Sequence, residues 1–415
     1  MDKTLDRKLA EIHADSNSRA FILADAKDAD MAFGIAAPGR SPEHADGEFR
    51  TLAEYRDHIR QNVHQGLVDI MLMSVSTNEI LTIRERVFDG SPVTPAVRAN
   101  DTTDIHVARG SVFPNQPSRP FRTALLDHAM CGRLGCEEPE RHAGANLGLY
   151  SVTFNNDVEV DYRTLEAYRD FRIEAERKGF RHFLEVFNPN APVNPVPDEK
   201  IGAFLNDLIV RTLAGVASPG RPIFLKIPYH GPKFMEELAS YDPHLVPGIL
   251  GGSAGTTYDA FKLLEDAREH GARAALYGRK INNAEHQLSF IQFLRWIADG
   301  EVRAEQAVPA YHGVLQGLGI RPHRPLDEDM QITNQAVGYG GTSTTVTVPA
   351  RVQRPSGGES QSPAVAQRRQ QSGTIASDGD GQDWPTTSAG LPDFARMTPE
   401  QRLAYHRERL KKTLS

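Results

Sequence analysis

The sequence predicts an α/β protein built on a single closed (β/α)8 TIM barrel over residues 1–335. Eight short apolar runs alternate with amphipathic segments, which is typical of parallel α/β folds. The runs are apolar at nearly every position, as expected of strands that are covered on both faces. A length of 415 residues leaves room for a complete barrel with insertions. A doubly wound open sheet is the alternative, but no GxGxxG motif follows the first run.

The predicted elements follow one another in a regular order. The eight strands are predicted at residues 20–25, 67–73, 93–99, 146–154, 182–187, 222–227, 246–251 and 274–278. Amphipathic helices are predicted between them, for example over residues 164–179, 198–215 and 257–271. Because active sites of barrels lie at the carboxyl ends of the strands, these ends are where we expect the chemistry.

The C-terminal part of the chain differs in composition. Residues 336–392 are dominated by Gly, Ser, Thr, Pro and Gln, so we predict a disordered linker. Residues 393–415 predict an amphipathic helix, with Thr398 as N-cap and Pro399 at the first helical position. Such tethered helices resemble peptides that load enzymes into bacterial microcompartments, so a shell protein is one hypothesis for a docking partner. A solvated or self-docked tail is the alternative, and the one we favour.

Composition excludes several classes of function. The net charge of -7, without a basic block, argues against nucleic-acid binding. No apolar run is long enough to span a membrane, and the charged N-terminus is unlike a signal peptide. With only two cysteines, Cys131 and Cys136, we expect a reducing compartment and a cytoplasmic protein, or one inside a microcompartment if the helix docks there. Their CxxxxC spacing fits a metal site or free thiols in a loop, and we expect free thiols.

A long connection separates the third and fourth strands. It runs from Asn100 to Ala145, and loops of this length in compact domains are usually lids or binding elements. Since it follows a strand, we expect it on the catalytic face. Asn100 and Asp101 are candidates for binding sugar hydroxyls, and a cluster of capping and turn residues is the alternative.

Glycine-rich segments follow the last two strands. Gly251, Gly252 and Ser253 precede a predicted helix, and glycines expose backbone N–H groups that favour an anion. After strand eight, Gly278 allows close approach of a ligand and Arg279 supplies a cationic fork. Barrels commonly bind phosphate in these two loops, so we predict a phosphate site. The alternative is that the glycines only form tight turns.

Lys226 lies within the apolar run of the sixth strand, in "RPIFLKIPYHG". Lysine is scarce here, because only eleven of the 47 basic residues are lysines. Burial disfavours the ammonium form, and a neutral amine can form a Schiff base with a carbonyl substrate. The alternative is a structural lysine that pairs with a carboxylate. Glu185 on the adjacent strand suits both interpretations, as pairing partner and as proton shuttle.

These motifs resemble a family. "FLKIP" on strand six, "GGS" after strand seven and "GRKI" at strand eight resemble the class I aldolase superfamily of deoxyribose-phosphate, tagatose-bisphosphate and archaeal-type fructose-bisphosphate aldolases, over residues 20–300. The resemblance implies that Lys226 forms the Schiff base, that Asp25 orients or relays protons, and that Glu185 is the strand-five glutamate. The chain departs from the pattern at Ala26 and Lys27, where archaeal-type members have His-Gly, and it has no second lysine on strand seven.

The expected function is that of a class I aldolase-type carbon–carbon lyase. Its substrate would be a phosphorylated sugar or a small carbonyl compound, with no metal or cofactor, and we expect a homo-oligomer. Glu185, Tyr150 and Asp25 are the candidate proton carriers. One rival is a metal-dependent barrel lyase in which Asp25, Glu185 and Asp101 hold Mg²⁺ or Mn²⁺. The other is a barrel that binds phosphosugars without turning them over.

Overall fold

Eight parallel strands form the barrel in a computed structural model of the chain, as the sequence predicts. The structure describes residues 2–15, 17–41, 49–252, 255–333, 385, 396–398 and 401. The strands are β1 (Ile22–Lys27), β2 (Ile70–Met73), β3 (Thr94–Arg98), β4 (Leu147–Thr153), β5 (Arg181–Phe187), β6 (Leu225–Lys226), β7 (Gly248–Leu250) and β8 (Ala274–Tyr277).

The strands are arranged around the barrel in chain order. Hydrogen-bonded neighbours run β6, β5, β4, β3, β2, β1, β8, β7. The sheet closes between β6 and β7, where Ile227 N–H donates to Gly248 O (2.9 Å) and Leu250 N–H donates to Ile227 O (3.0 Å). The ladder of β6 is short because Pro222 and Pro228, which lie on either side of it, have no N–H to donate. Register at the catalytic end is nevertheless maintained, since Glu185 of β5 lies opposite Lys226 of β6.

Helices cover the barrel. They are α1 (Thr4–Ala14), α2 (Asp30–Phe33), α3 (Leu52–Gln65), α4 (Val75–Asn78), α5 (Leu126–Cys131), α6 (Val158–Lys178), α7 (Asp198–Ala214), α8 (Pro232–Tyr241), α9 (Thr257–Glu269), α10 (Arg279–Asn282), α11 (Gln287–Asp299), α12 (Ala304–Gly317) and α13 (Leu326–Asp329). A π-helical segment, Glu79–Arg84, continues α4. Among the described helices, none is both long enough and apolar enough to cross a bilayer.

Two separate apolar cores lie on the two faces of the sheet. The inner core fills the barrel with residues such as Ala24, Leu72 and Phe183, and α1 contributes Leu5 and Leu9 to it. The outer core packs the other face of each strand against the helices. Since side chains alternate along a strand, these two sets decide which polar residues reach the barrel interior.

The long connection after β3 has structure of its own. Asp101–Thr102 pairs antiparallel with Pro120–Phe121, and α5 follows. The connection begins at the carboxyl end of β3 and then returns to the other end of the barrel. Gly144 N–H donates to Met130 O (2.8 Å) and Ala145 N–H donates to Ala129 O (3.0 Å), directly before β4 begins.

The chain divides into two units, Met1–Val348 and Pro349–Ser415. The predicted linker and most of the predicted terminal helix lie outside the described residues. Within the second unit, Thr398 N–H donates to Gln401 Oε1 (3.0 Å) and Gln401 N–H donates to Thr398 Oγ1 (3.3 Å). This reciprocal pair is a capping box, which agrees with Thr398 as an N-cap.

Candidate active site

Lys226 and Glu185 form an ion pair on the inner face of the barrel, at the carboxyl ends of their strands. Lys226 Nζ lies 2.5 Å from Glu185 Oε1, and both side chains are buried. Both side chains point into the barrel, because Phe183 and Phe224, which lie two residues before Glu185 and Lys226, belong to the inner core. The amine of the predicted nucleophile is therefore in direct contact with a group able to accept its proton.

Glu185 is oriented by two further side chains. Ser151 Oγ of β4 donates to Glu185 Oε2 (2.6 Å), and Arg98 Nη2 of β3 donates to the same oxygen (3.3 Å). Arg98 Nη1 also donates to Ser151 Oγ (3.0 Å). Oε2 is thus held by the neighbouring strands while Oε1 faces Lys226. This arrangement fixes the carboxylate so that one oxygen can exchange a proton with the amine.

Asp28 completes the chain of charges. Arg98 Nε donates to Asp28 Oδ2 (2.7 Å), directly beyond the end of β1. Although burial alone lowers the pKa of Arg98, the Asp28 and Glu185 carboxylates raise it overall. Two cations and two anions alternate in the order Asp28, Arg98, Glu185, Lys226. Their charges balance, as a buried ionic group requires.

Asp25 lies on the opposite face of the sheet from these four charged residues. Its Oδ2 accepts a hydrogen bond from Asn62 Nδ2 of α3 (2.7 Å), and Lys27 Nζ lies 3.7 Å from its Oδ1. Lys27 in turn donates to Gln287 Oε1 of α11 (2.8 Å). Burial raises the pKa of Asp25 and lowers the pKa of Lys27. The structure therefore does not bring Asp25 to Lys226, because odd-numbered positions of β1 face the helices.

Asp28, directly after β1, is the carboxylate near this strand whose side chain points into the barrel. The signal is the alternation of β1: Ala24 and Ala26 belong to the inner core, so the next even position also faces inward. Sequence reasoning missed it because every position of β1 is buried, and a strand buried on both faces has no polar side to identify.

Tyr150 also faces the helices. Its ring centroid lies 4.5 Å from that of Phe171 and 5.1 Å from that of Tyr168, both on α6. Burial raises the pKa of Tyr150. The neighbouring residue, Ser151, points inward in its place and contacts Glu185. As a correction to the expected set of proton carriers, Tyr150 packs in the outer core and does not reach Lys226.

Asn100 and Asp101 make contacts within the protein. Asn100 Nδ2 donates to Ser151 O (2.8 Å) and its Oδ1 accepts from Ser151 N–H (2.7 Å), which extends the pairing of β3 with β4. Asp101 Oδ2 accepts from the N–H (3.0 Å) and the Oγ1 (2.8 Å) of Thr123. These contacts match the alternative interpretation, a cluster of capping and turn residues.

Close packing accounts for two of the predicted phosphate-site glycines. A Cβ on Gly278 would lie 2.7 Å from Ala26 O, and one on Gly251 would lie 2.3 Å from the ring of Tyr277. Gly252 has a φ of 64°. Arg279 begins α10 with its guanidinium carbon 4.9 Å from the Phe33 ring centroid, and burial lowers its pKa. Ser253 lies outside the described residues.

A small apolar cluster joins the loops at the catalytic end. It contains Ile105 from the long connection, Ala32 and Phe33 from α2, Phe187 from β5 and Leu250 from β7. Val107 N–H donates to Ala32 O (2.7 Å), which ties the long connection to α2. The long connection therefore packs with α2 and with the last residues of β5 and β7, as a lid over the barrel would.

The carboxylates of the metal-dependent rival do not converge. Asp25 faces α3, Asp101 binds Thr123, and Glu185 pairs with Lys226. Over the part of the chain that the structure describes, the one group of three or more close metal-donor side chains lies elsewhere, at Cys131.

The structure resembles solved fructose-bisphosphate aldolases. A Schiff-base-forming fructose-1,6-bisphosphate aldolase shares 16% identity with a TM-score of 0.50, over 70% of this chain and 99% of that chain. An archaeal fructose-1,6-bisphosphate aldolase, with its catalytic lysine bound to a carbinolamine intermediate, shares 17% identity with a TM-score of 0.50, over 71% and 100%. The fructose-bisphosphate aldolase from Slackia heliotrinireducens shares 15% identity with a TM-score of 0.52, over 75% and 90%.

No protein-family model matches the sequence, and no curated protein matches it. At 15 to 17% identity the likeness shows a common fold. The predicted barrel is therefore confirmed: the chain shares the fold of solved fructose-bisphosphate aldolases, among them a Schiff-base-forming one.

Proposed function

We propose that this protein is a class I aldolase-type lyase that cleaves or forms a carbon–carbon bond through a Schiff base on Lys226. The observation that carries the proposal is the contact of 2.5 Å between Lys226 Nζ and Glu185 Oε1 at the catalytic end of the barrel. A Schiff-base lysine has to lose a proton before it attacks, and here the acceptor is already in contact.

In the proposed reaction, Glu185 takes a proton from the Lys226 ammonium, and the neutral amine attacks the substrate carbonyl. The carbinolamine loses water as Glu185 returns the proton to the departing hydroxyl. The iminium then draws electrons from the bond between its α and β carbons, which breaks as Glu185 takes the proton of the β-hydroxyl and that carbon becomes a carbonyl. Glu185 returns this proton to the α-carbon of the enamine, and hydrolysis of the resulting iminium releases the second product.

Arg98 and Ser151 support this role of Glu185 as positioning residues. Both donate to Oε2, so the proton is exchanged at Oε1, the oxygen that faces the amine. Asp28 balances the charge of Arg98 from the other side. The net charge of these four side chains stays at zero when the proton moves between Lys226 and Glu185, because that transfer removes one cation and one anion together.

We propose that the substrate is a phosphorylated sugar or a small carbonyl compound. Support for a phosphate comes from the positive backbone φ of Gly252 and from the position of Arg279 at the start of α10. The apolar cluster around Ile105 and Phe187 would exclude water from the iminium, which protects it from premature hydrolysis.

The proposal is tested by assaying carbon–carbon cleavage of carbonyl compounds, with and without a phosphate group, in the presence of EDTA. Activity should persist with the chelator and be lost in Lys226→Met. Lys233→Met is the matched control, since Lys233 is an exposed lysine on α8 of the same unit. Loss of activity with EDTA, or equal activity of Lys226→Met, would contradict the proposal. Unchanged ligand binding by Lys226→Met without turnover by either form would favour a binding barrel.

A further inference from the structure

Two sulfurs and a carboxylate come together in the loop after α5. The Sγ atoms of Cys131 and Cys136 and a carboxylate oxygen of Glu140 all lie within 4.8 Å of one another. Both cysteines are free thiols. The proposed lyase reaction makes no use of this group, so its chemistry needs a separate explanation.

The backbone of the loop is shaped to bring the sulfurs together. Gly132 follows the first cysteine with φ 80, and Gly135 precedes the second with φ 69. A side chain at either position would be strained, because positive φ is readily adopted only by glycine. Gly135 N–H also donates to Asp127 Oδ2 (3.1 Å), which fixes the turn against α5. The two thiols thus lie at the base of an ordered turn.

The carboxylate is held in place as metal-binding carboxylates usually are. Arg133 Nη2 lies 2.7 Å from each oxygen of Glu140, and Glu137 N–H donates to Oε2 (3.0 Å). A carboxylate offers about four lone-pair positions, so these bonds leave room for a metal. Outer hydrogen bonds of this kind orient ligands. Two thiolates, one carboxylate and a divalent cation sum to one negative charge, which Arg133 balances.

We propose that Cys131, Cys136 and Glu140 bind Zn²⁺, with water as the fourth ligand. Zn–S bonds of about 2.3 Å and Zn–O bonds of about 2.0 Å place tetrahedral ligand atoms roughly 3.5 to 3.8 Å apart, so each pair has to close by at most about 1.3 Å. Thiolates select a soft ion such as Zn²⁺ over Mg²⁺ or Ca²⁺. Sequence reasoning missed the third donor because Glu140 belongs to the next helical turn, Glu138–His142.

The location of the site indicates a structural role. The loop returns the long connection to the start of β4, where Ala145 bonds to Ala129. Arg141 Nη1 bonds to Lys178 O at the C-terminal end of α6 (3.5 Å). This is the N-terminal end of the barrel, which serves stability rather than catalysis. The ion would therefore clip the end of the connection in place, and its loss should leave the chemistry at Lys226 unchanged.

Binding of the ion is coupled to proton release. Both sulfurs have to be deprotonated to bind Zn²⁺, so affinity should increase with pH.

The test titrates Zn²⁺, against a chromophoric zinc indicator, into full-length protein that has been reduced and stripped of metal. We expect one Zn²⁺ per chain, a higher Tm with the ion, and release of protons. Cys131→Ser and Cys136→Ser should lose the site, and Glu140→Gln should weaken it at least tenfold. Glu138→Gln is the matched control, because Glu138 is an exposed neighbour on the same turn. Co²⁺ should give a thiolate charge-transfer band that Cys131→Ser lacks.

Three results would overturn the proposal. One is Zn²⁺ uptake no greater than that of the double cysteine-to-serine variant. Another is equal weakening by Glu138→Gln and Glu140→Gln, which would indicate non-specific carboxylate binding. The last is a Cys131–Cys136 disulfide, found by mass in protein isolated without added oxidant. None of these results bears on the lyase, whose activity is measured separately.

Discussion

Lys226 lies in an ion pair, and its neighbours determine what the amine can do. Both interpretations of this lysine, a nucleophile or a structural cation paired with Glu185, require the same contact, and the contact is present. What favours the nucleophile is the position of the pair, near the carboxyl ends of its strands, where barrels carry their active sites, and close to the apolar cluster of the long connection. The residue-scale predictions therefore concern the groups around Lys226.

Replacement of Glu185 by Gln should lower kcat by about 10² to 10⁴, because the amine loses its proton acceptor. The amide keeps the shape of the side chain, so the fold should remain. Steady-state kinetics across pH, with circular dichroism as a check on folding, measures this. Glu159→Gln, at a position with 79% exposure, is the control and should have no effect. A kcat within tenfold of wild type would show that Glu185 is not the proton carrier.

Replacement of Arg98 by Met should lower the free energy of unfolding by about 3 to 5 kcal/mol, because Asp28 and Glu185 lose a buried partner. Urea denaturation measures the change. The double variant Arg98→Met with Asp28→Asn should lose less unfolding free energy than the two single variants lose together, because the two side chains are hydrogen-bonded to each other. Additive losses of unfolding free energy, or a loss below about 1 kcal/mol for Arg98→Met, would contradict the proposed coupling of these charged side chains.

At the residue scale, the sequence singles out candidate side chains by their chemistry, and the structure shows which of them lie together. Lys226 and Glu185 stand out as charged residues in apolar runs, and register brings them together. The sequence also predicts Asp25 and Tyr150 as proton carriers, but in the structure both side chains face the helices. Both faces of β1 and β4 are buried, so sequence polarity does not distinguish inside from outside. Asp28 and Ser151 take the inward positions instead.

At the scale of elements, α1 closes the N-terminal end of the barrel. Leu5, Leu9 and Ile12 lie on one helical face and join the inner core. This helix is difficult to recognise from the sequence, because its three buried apolar residues are separated by charged and polar ones. The catalytic end, by contrast, is covered by the long connection, so the barrel is sealed differently at its two ends.

Replacement of Leu5 by Ala should lower the free energy of unfolding by about 2 to 5 kcal/mol, the usual cost of a cavity in a core. Urea denaturation measures it, and kcat should not change because α1 is far from the catalytic end. Leu52→Ala is the control, at a position with 38% exposure, and should cost about 0.5 kcal/mol or less. An equal loss of unfolding free energy at the two positions would contradict the role of α1 in closing the barrel.

The packing of α6 on β5 should make stability depend on pH. His182 is buried, with Nε2 2.8 Å from the Tyr168 hydroxyl. Burial lowers the pKa of His182 to about 3, below the value of about 6.5 in an unfolded chain. The unfolded chain therefore binds more protons between these values, so the contribution of His182 is complete above pH about 6.5 and is lost as pH falls towards 3.

Urea denaturation at a series of pH values checks this. His182→Gln should reduce the dependence of the free energy of unfolding on pH in that window, while His64→Gln, at an exposed position on α3, should not. A pH dependence that is identical in wild type and His182→Gln would show that His182 does not titrate as the packing requires.

At the scale of the whole molecule, the barrel could be predicted because its pattern is repetitive. Eight apolar runs, separated by amphipathic helices, match the eight strands in order and nearly in extent, apart from β6. The predicted linker and most of the terminal helix lie outside the described residues, so these remain predictions. The cysteine spacing allows the proposed zinc site as well as free thiols, and the sequence does not decide between them because the third ligand comes from a turn whose position depends on the fold.

Borohydride reduction in the presence of carbonyl substrates tests the central claim most directly, with intact mass and peptide mapping as the readout. The account predicts one irreversible adduct per chain, located on Lys226, formed by wild type and by Lys233→Met and absent from Lys226→Met. An adduct on another lysine, or turnover of a substrate that leaves no adduct on Lys226, would contradict it.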